Sequence, residues 1–306
     1  MTSVSTGAFY ESAIFNMAKL RDSTNALQQQ LSTGNKLTHS YDDPLAASQM
    51  RMLQAADTLA TADTTVSNAA KTQLTQTDNS LSQFASIVTD LQSLAAQAAN
   101  SVLNDSQRKA IGVQVAAYAQ NLTSLANTKD ANGNPLFGGQ GTGDAYTTDA
   151  SGNPVYNGTG SAATLNLGPG LSVTTGVTGP DFLDFQSKGV SKNLLSVVKD
   201  LASALQNPAS SSAAISAANG ALDDLSAGLD SISTSQTVVG ARLAWISATS
   251  DMQTSLSTQR ASQQATTGGA DYATTAAKLS QQMTVLQAAQ ASFVKLANLS
   301  LFSMLN

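Results

Sequence analysis

Toward the end of this chain, apolar side chains recur in alternating steps of four and three. Leu279, Met283, Leu286, Gln290, Phe293 and Ala297 form a heptad seam with one polar member, and no Pro or Gly interrupts it after Gly268-Gly269. The spacing predicts a helix from Asp271 onward. Ala13, Met17, Leu20, Thr24, Leu27 and Leu31 repeat the same steps near the start, before Gly34. Burying the few large apolar side chains of the later stripe gives roughly 10–20 kcal/mol at ~1.5–3 each. Ordering about thirty residues costs more, at ~1–2 kcal/mol of backbone entropy per residue. Each helix therefore needs a partner, and two seams of one period suggest that the ends pair with each other. Two separate surface helices on one globular core is the plainer alternative, since short heptads also arise in ordinary bundles.

Between the seams lie longer ones. Asp43 is expected to cap a helix whose first position is Pro44, where the missing N–H does no harm. Leu74, Thr77, Leu81, Phe84, Val88, Leu91, Ala95, Ala98 and Val102 then hold three-four spacing along that helix. After a break at Asn104-Asp105-Ser106, Asp105 is expected to cap a second helix through Ala126. Asn193–Gln206 reads as a helical segment closed by Asn207-Pro208. The longest seam runs Ile215, Ala218, Leu222, Leu225, Leu229, Ile232, Gln236, Val239, Leu243, Ile246, with Gly228 and Gly240 off it.

The middle is of another kind. Residues 131–190 hold thirteen of the 21 Gly and four of the six Pro, so a regular helix cannot run through them. Asp130-Ala-Asn-Gly-Asn-Pro-Leu-Phe137 recurs as Asp149-Ala-Ser-Gly-Asn-Pro-Val-Tyr156, which predicts two turns each leading into a short strand. Ala163–Leu167 and Leu171–Thr175 alternate like half-buried strands. A small β-rich insertion follows from this; disorder is the competing reading, which the alternation and Phe137, Tyr146, Tyr156 and Phe182 oppose. The domains read as a terminal pair (1–40 with 268–306), a helical rod (41–130 with 190–267) and the β-rich insertion (131–189).

Composition narrows the function. Only 11% of residues are charged, against ~25% in ordinary soluble domains. A surface of Ser, Thr, Ala and Gln can be covered in an assembly without stranding ions, although the same bias could be a habit of the source. The net charge of −5 and thinly spread Lys and Arg argue against nucleic acid. Cys is absent, which excludes disulfides and thiolate chemistry. With one His, His39, and no metal-ligand spacing, no metal site, cofactor or catalytic group is expected. Asp42-Asp43 reads as capping, not as a carboxylate pair, because adjacent residues do not face each other on a helix. No apolar run approaches a membrane span, and the first residues lack the pattern of a secretory signal.

Several motifs resemble one family. Gln28–Ser48, QQQLSTGNKLTHSYDDPLAAS, is similar to the start of the bacterial flagellin superfamily: an LS-x-G turn, a polar run, then an Asp-Asp pair opening a long helix. Asp43-Pro44, Val239-Gly240-Ala241-Arg242-Leu243, Asp271-Tyr272, Leu286–Ser292 and Ser300-Leu301-Phe302 resemble its hook–filament junction branch. Filament flagellins more usually continue Asp-Asp-Ala-Ala-Gly. The resemblance covers both helical ends, about two thirds of the chain, and fades in the middle.

It implies a mainly α fold, an elongated flagellin-like helical rod with paired terminal coiled-coil helices and a small β-rich insertion. It further implies a non-enzymatic structural subunit of the flagellum, exported by a type III route without a cleaved signal and located outside the cell. Partners would be copies of itself in a ring or helical lattice, the neighbouring axial proteins (hook-associated protein 1 and flagellin), and an export chaperone on the C-terminal helix. The candidate assembly seam is Met17, Leu20, Leu27 and Leu31 with Leu279, Met283, Leu286 and Phe293, disordered in the monomer and ordered on assembly. A filament flagellin is the alternative; a glycan-binding or enzymatic module in the insertion is a remote one, to be judged by whether Asp144, Asp149, Asp181 and Asp184 converge.

Overall fold

The computed structural model describes residues 3–303, with side chains for residues 7–296, and divides into two compact units. Seven helices dominate the described residues: α1 (Ser3–Thr33), α2 (Pro44–Ala98), α3 (Asp105–Ala126), α4 (Gly179–Leu183), α5 (Leu194–Gln206), α6 (Ser211–Gly268) and α7 (Tyr272–Ser303). Three two-stranded antiparallel sheets lie between α3 and α5: β1 (Tyr146–Thr148) with β2 (Pro154–Tyr156), β3 (Thr164–Gly168) with β4 (Leu171–Thr174), and β5 (Asp184–Ser187) with β6 (Val190–Asn193).

The first unit comprises Met1–Leu59 and Ser255–Asn306. Within it the start of α2 is tied to the end of α6. Asp57 accepts from Arg260 Nε at 2.7 Å and from Gln264 Nε2 at 2.6 Å. Those bonds, the arginine's first, hold the Asp57 carboxyl below its ordinary value.

The second unit, Ala60–Thr254, contains the main core. The predicted α2 seam is buried from Leu74 to Ala98, because its three-four spacing keeps those residues on one face. Val102, expected as its last member, lies beyond the helix end and is 86% exposed. The α6 seam is likewise inward, with Ala218, Leu225, Ile232, Val239 and Ile246 buried. Phe84 of α2, Phe137 of the turn region and Phe182 of α4 meet with ring centroids 4.9–5.9 Å apart, all without exposed surface. The Gly-rich stretch thus shares a core with the helices, and one buried cluster holds both.

Local chemistry explains the ends of the elements. Asn104, not Asp105, caps α3: its side chain accepts from Gln107 N at 2.8 Å while Gln107 Oε1 accepts from Asn104 N at 3.0 Å. Asp105 is the first helical residue instead, and it binds Ser211 Oγ at 2.6 Å. The end of α2 is closed by Arg108, 1% exposed, which donates to Ala98 O at 3.2 Å and Asn100 O at 2.9 Å.

The two repeated turns fold alike. Asp130 Oδ1 accepts from the N–H groups of Asn132 and Asn134 (2.8 and 2.9 Å), and Asp149 Oδ1 from those of Ser151 and Asn153 (2.8 and 2.7 Å). Gly133 and Gly152 occupy the positive-φ position in each. Only the second copy leads into a strand, β2, paired with β1. The first sends Leu136 and Phe137 into the core, so the predicted strand there is a single bridge, Lys129 to Pro135. The short helix α4 and the β5–β6 hairpin were not expected; they fill the segment before α5. Gly228, off the α6 seam, is buried against β5 and the start of α5, where a Cβ would sit 2.9 Å from Leu194 Cδ1 and 3.2 Å from Phe185 Cε1.

Candidate assembly interface

α1 and α7, 31 and 32 residues long, pair antiparallel within the first unit. At ~1.5 Å rise per residue each spans roughly 45–50 Å, so their lengths match end to end. Three contacts fix the direction. Near the pair's far end, Tyr10 meets Phe293 edge to face at 5.5 Å and donates from its hydroxyl to Leu296 O at 3.3 Å. Midway, Gln282 Nε2 donates to Ser23 Oγ at 3.0 Å. At the base, Lys36 N donates to Gly268 O (2.7 Å) and Ala270 N to Gly34 O (2.8 Å), a two-strand staple around the Asn35–Gly269 bridge. Gly34 takes φ 70° there, and a side chain would strike the Tyr272 hydroxyl.

On α1, Met17, Leu20, Leu27 and Leu31 are half-buried on the face that also carries Ala13 and the buried Thr24. On α7, Leu279, Leu286 and Phe293 are half-buried, but Met283 is 42% exposed. The inward residues of α7 are Thr275, Leu279, Gln282, Leu286, Ala289 and Phe293, again in steps of four and three. Met283 and Gln290 therefore lie outside the intrachain seam, with Gln282 and Ala289 in their place. Both sets have equal spacing, and the hydrophobicity of Met283 favours the set that is not turned toward α1. Ala297 and the Ser300-Leu301-Phe302 motif lie outside the described side chains.

Further apolar groups flank the seam and face solvent. Met283 and Val294 (56% exposed) lie on one side of α7, and Val285 (46%) and Leu296 (44%) on the other. Phe9, Ile14 and Phe15 on α1 are more than half exposed. A helix pair in water has no use for apolar groups on its outer flanks, whereas a helix packed among several neighbours does.

Asp43 and Pro44 stand at the start of α2: Asp43 Oδ1 accepts from Ala46 N at 3.0 Å, and Pro44 is the first helical residue. Asp42 has a separate task. Its Oδ2 accepts from His39 N, the Thr38 hydroxyl and Thr38 N at 2.7, 2.8 and 3.1 Å, closing the preceding loop; the His39 amide and then the Thr38 hydroxyl hold its carboxyl below the ordinary value. His39 stacks on Tyr41 at 4.9 Å. Asp271 caps α7, accepting from Ala273 N and from Thr274 N and Oγ1, which lowers its carboxyl in the same way, the Thr274 hydroxyl most.

In the second unit the four acidic residues of the β-rich stretch do not converge. Asp144 pairs with Lys129 at 3.2 Å, Asp149 holds its turn, Asp181 accepts from Thr178 N, and Asp184 accepts from Asn193 Nδ2 at 2.6 Å. A cleft of about 620 Å³ lies between α3, β1–β2 and α5. Lys199, on its wall, already donates to Ser151 O at 2.9 Å and Asn153 Oδ1 at 2.6 Å. Among the described residues no cluster of His, Asp or Glu could hold a metal ion, and no helix is long and apolar enough to cross a membrane.

Residues 4–142 match the bacterial flagellin N-terminal helical region. Flagellar hook-associated protein 3 of Salmonella typhimurium is 28% identical over 139 residues, 45% of this chain and 44% of that protein. The protein of the same name from Escherichia coli is 31% identical over 114 residues, 37% of this chain and 36% of that one. The match thus spans less than half the length of these curated relatives. The crystal structure of the flagellar junction protein FlgL from Legionella pneumophila superposes with a TM-score of 0.63 at 17% identity, covering 72% of this chain and 99% of that one. The chain is flagellin-like: residues 4–142 match the flagellin N-terminal helical region, its fold is shared with a flagellar junction protein, and it is similar to hook-associated protein 3.

Proposed function

We propose that the chain is a structural subunit of the bacterial flagellum that joins hook to filament and assembles through its terminal helices. The observation that carries this reading is the α1–α7 pair with apolar side chains left on its outer flanks. The terminal pair (1–40 with 268–306) is the axial part, marginal alone and stabilised when neighbouring copies cover those flanks. The rod (41–130 with 190–267) and the insertion (131–189) make up the rest of the subunit. Its partners are further copies in a ring or helical lattice, hook-associated protein 1 and flagellin on either side, and an export chaperone on α7. It acts outside the cell, exported without a cleaved signal. A junction subunit must end its own lattice, whereas a filament subunit repeats on itself without limit. Cells lacking the chain should build hooks, carry no filament and release flagellin into the medium, as seen by electron microscopy and by analysis of the culture medium. Filaments on such hooks would overturn the junction reading, and long fibres formed by the purified chain alone would favour a filament subunit.

A further inference from the structure

α7 carries two heptad phases that share Leu279, Leu286 and Phe293. One adds Gln282 and Ala289, the other Met283 and Gln290. Successive residues are ~100° apart around a helix, so a turn of about 40° about the axis exchanges the two sets. Each set brings one Gln inward. Met is larger and more apolar than Ala, so burial alone favours the Met283 phase. The structure holds the other phase, with Met283 outward. The phase it holds makes one polar contact between the helices at this layer, while Gln282 Oε1 is buried without a partner among the described residues. At that level α1 presents Ser23, whose hydroxyl accepts the bond from Gln282 Nε2 at 3.0 Å. The neighbouring Thr24 is buried and satisfies itself by donating to Leu20 O at 2.8 Å. A thioether at this layer would offer Ser23 only a weak acceptor and no donor. The base staple at Gly34 and Gly268 sets where α7 begins, and the layer at Ser23 lies three turns along α1, where rotation is still open.

We propose that Gln282 is the positioning residue that sets the rotational phase of α7 against α1, through its hydrogen bond to Ser23. It thereby decides that Met283 and Val294 face outward. A single buried polar residue fixing the alignment of a heptad pair is a general device, and here it selects rotation. The inference concerns the single chain and stands apart from the junction reading.

The chain has no Cys, so single-cysteine variants of the full-length protein report one site each. Thiol alkylation is measured at Met283→Cys and at Ala289→Cys, each with Ser23 intact, with Ser23→Ala and with Ser23→Thr. With Ser23 intact, Met283→Cys should label at least tenfold faster than Ala289→Cys. Ser23→Ala should slow the first and speed the second, closing or inverting the ratio, and Ser23→Thr, which restores a hydroxyl, should return it. Three outcomes overturn the proposal: equal rates with Ser23 intact, a ratio unmoved by Ser23→Ala, or fast labelling at both sites in Ser23→Ala. The last would mean that the pair separates without rotating.

Discussion

Replacing Arg108 with Met should lower the stability of the second unit by about 3 kcal/mol. The guanidinium is 1% exposed and closes the C-terminal end of a 55-residue helix through Ala98 O and Asn100 O. Met keeps most of the apolar stem, so no large cavity contributes. What is lost is the donors. An orphaned buried carbonyl costs ~1–3 kcal/mol; Ala98 is fully buried and Asn100 is exposed, so about 2 and about 1 apply. In a domain of ~150–250 residues, 1 kcal/mol moves Tm by about 2–4 °C. The transition of Ala60–Thr254 should therefore fall by about 6–12 °C in calorimetry. Arg108→Lys should recover only part of this, because an ammonium is a point donor and cannot reproduce the planar fork. A Tm for Arg108→Met within about 2 °C of the parent would refute the reasoning, since it would mean that water replaces the arginine at no cost.

Three further outcomes are expected. Leu286→Asp or Phe293→Asp should abolish assembly in sedimentation assays while leaving the unfolding of the second unit unchanged, because a carboxylate cannot sit unpaired in an apolar seam; Tyr156→Ala should spare assembly. Gly228→Val should destabilise the second unit by ~1–3 kcal/mol in denaturant unfolding, since the side chain would overlap Leu194 and Phe185. The first unit should lose stability in acid. Asp42, Asp57 and Asp271 have folded values below the ordinary 3.8, so the stability they supply is fully present above 3.8 and is lost as pH falls through their lower folded values. Melting of α1 and α7 followed by circular dichroism should be flat from neutral pH to about 5 and should fall below 4; a Tm that stays constant into that acid range would contradict this.

The helices were legible because their seams are long. Eight positions from Leu74 to Ala98 and ten from Ile215 set period and face, and burial along α2 and α6 follows them; only Val102, beyond the helix end, departs. What lay outside local pattern was not legible. Arg108 is ten and eight residues from the two carbonyls it satisfies, in a stretch that reads as an ordinary polar helix start. Gly228 lies off the α6 seam, and only the packing of β5 and α5 against it requires a glycine there. The first copy of the repeated turn shares its bonding with the second, yet its strand is absent because Phe137 is drawn into the Phe84–Phe182 cluster. Local sequence specified the turn, and tertiary packing decided what followed it.

The candidate interface shows the same limit in sharper form. Within the single chain, Leu279, Leu286 and Phe293 face α1 whichever phase is taken, because they belong to both. Hydrophobic spacing could not choose between Gln282 and Met283. That choice depends on a hydroxyl at Ser23, distant by 259 residues in sequence. Counting apolar residues favours the other edge, since a hydrophobicity count registers Gln282 only as a loss. In a seam of otherwise interchangeable contacts, the polar residue is the one that distinguishes orientations, so the least hydrophobic member of the stripe carries the most positional information. The outward Met283 then has a physical reason: apolar surface on both flanks of α7 is what a helix needs if it must first pair with α1 and afterwards accept neighbours.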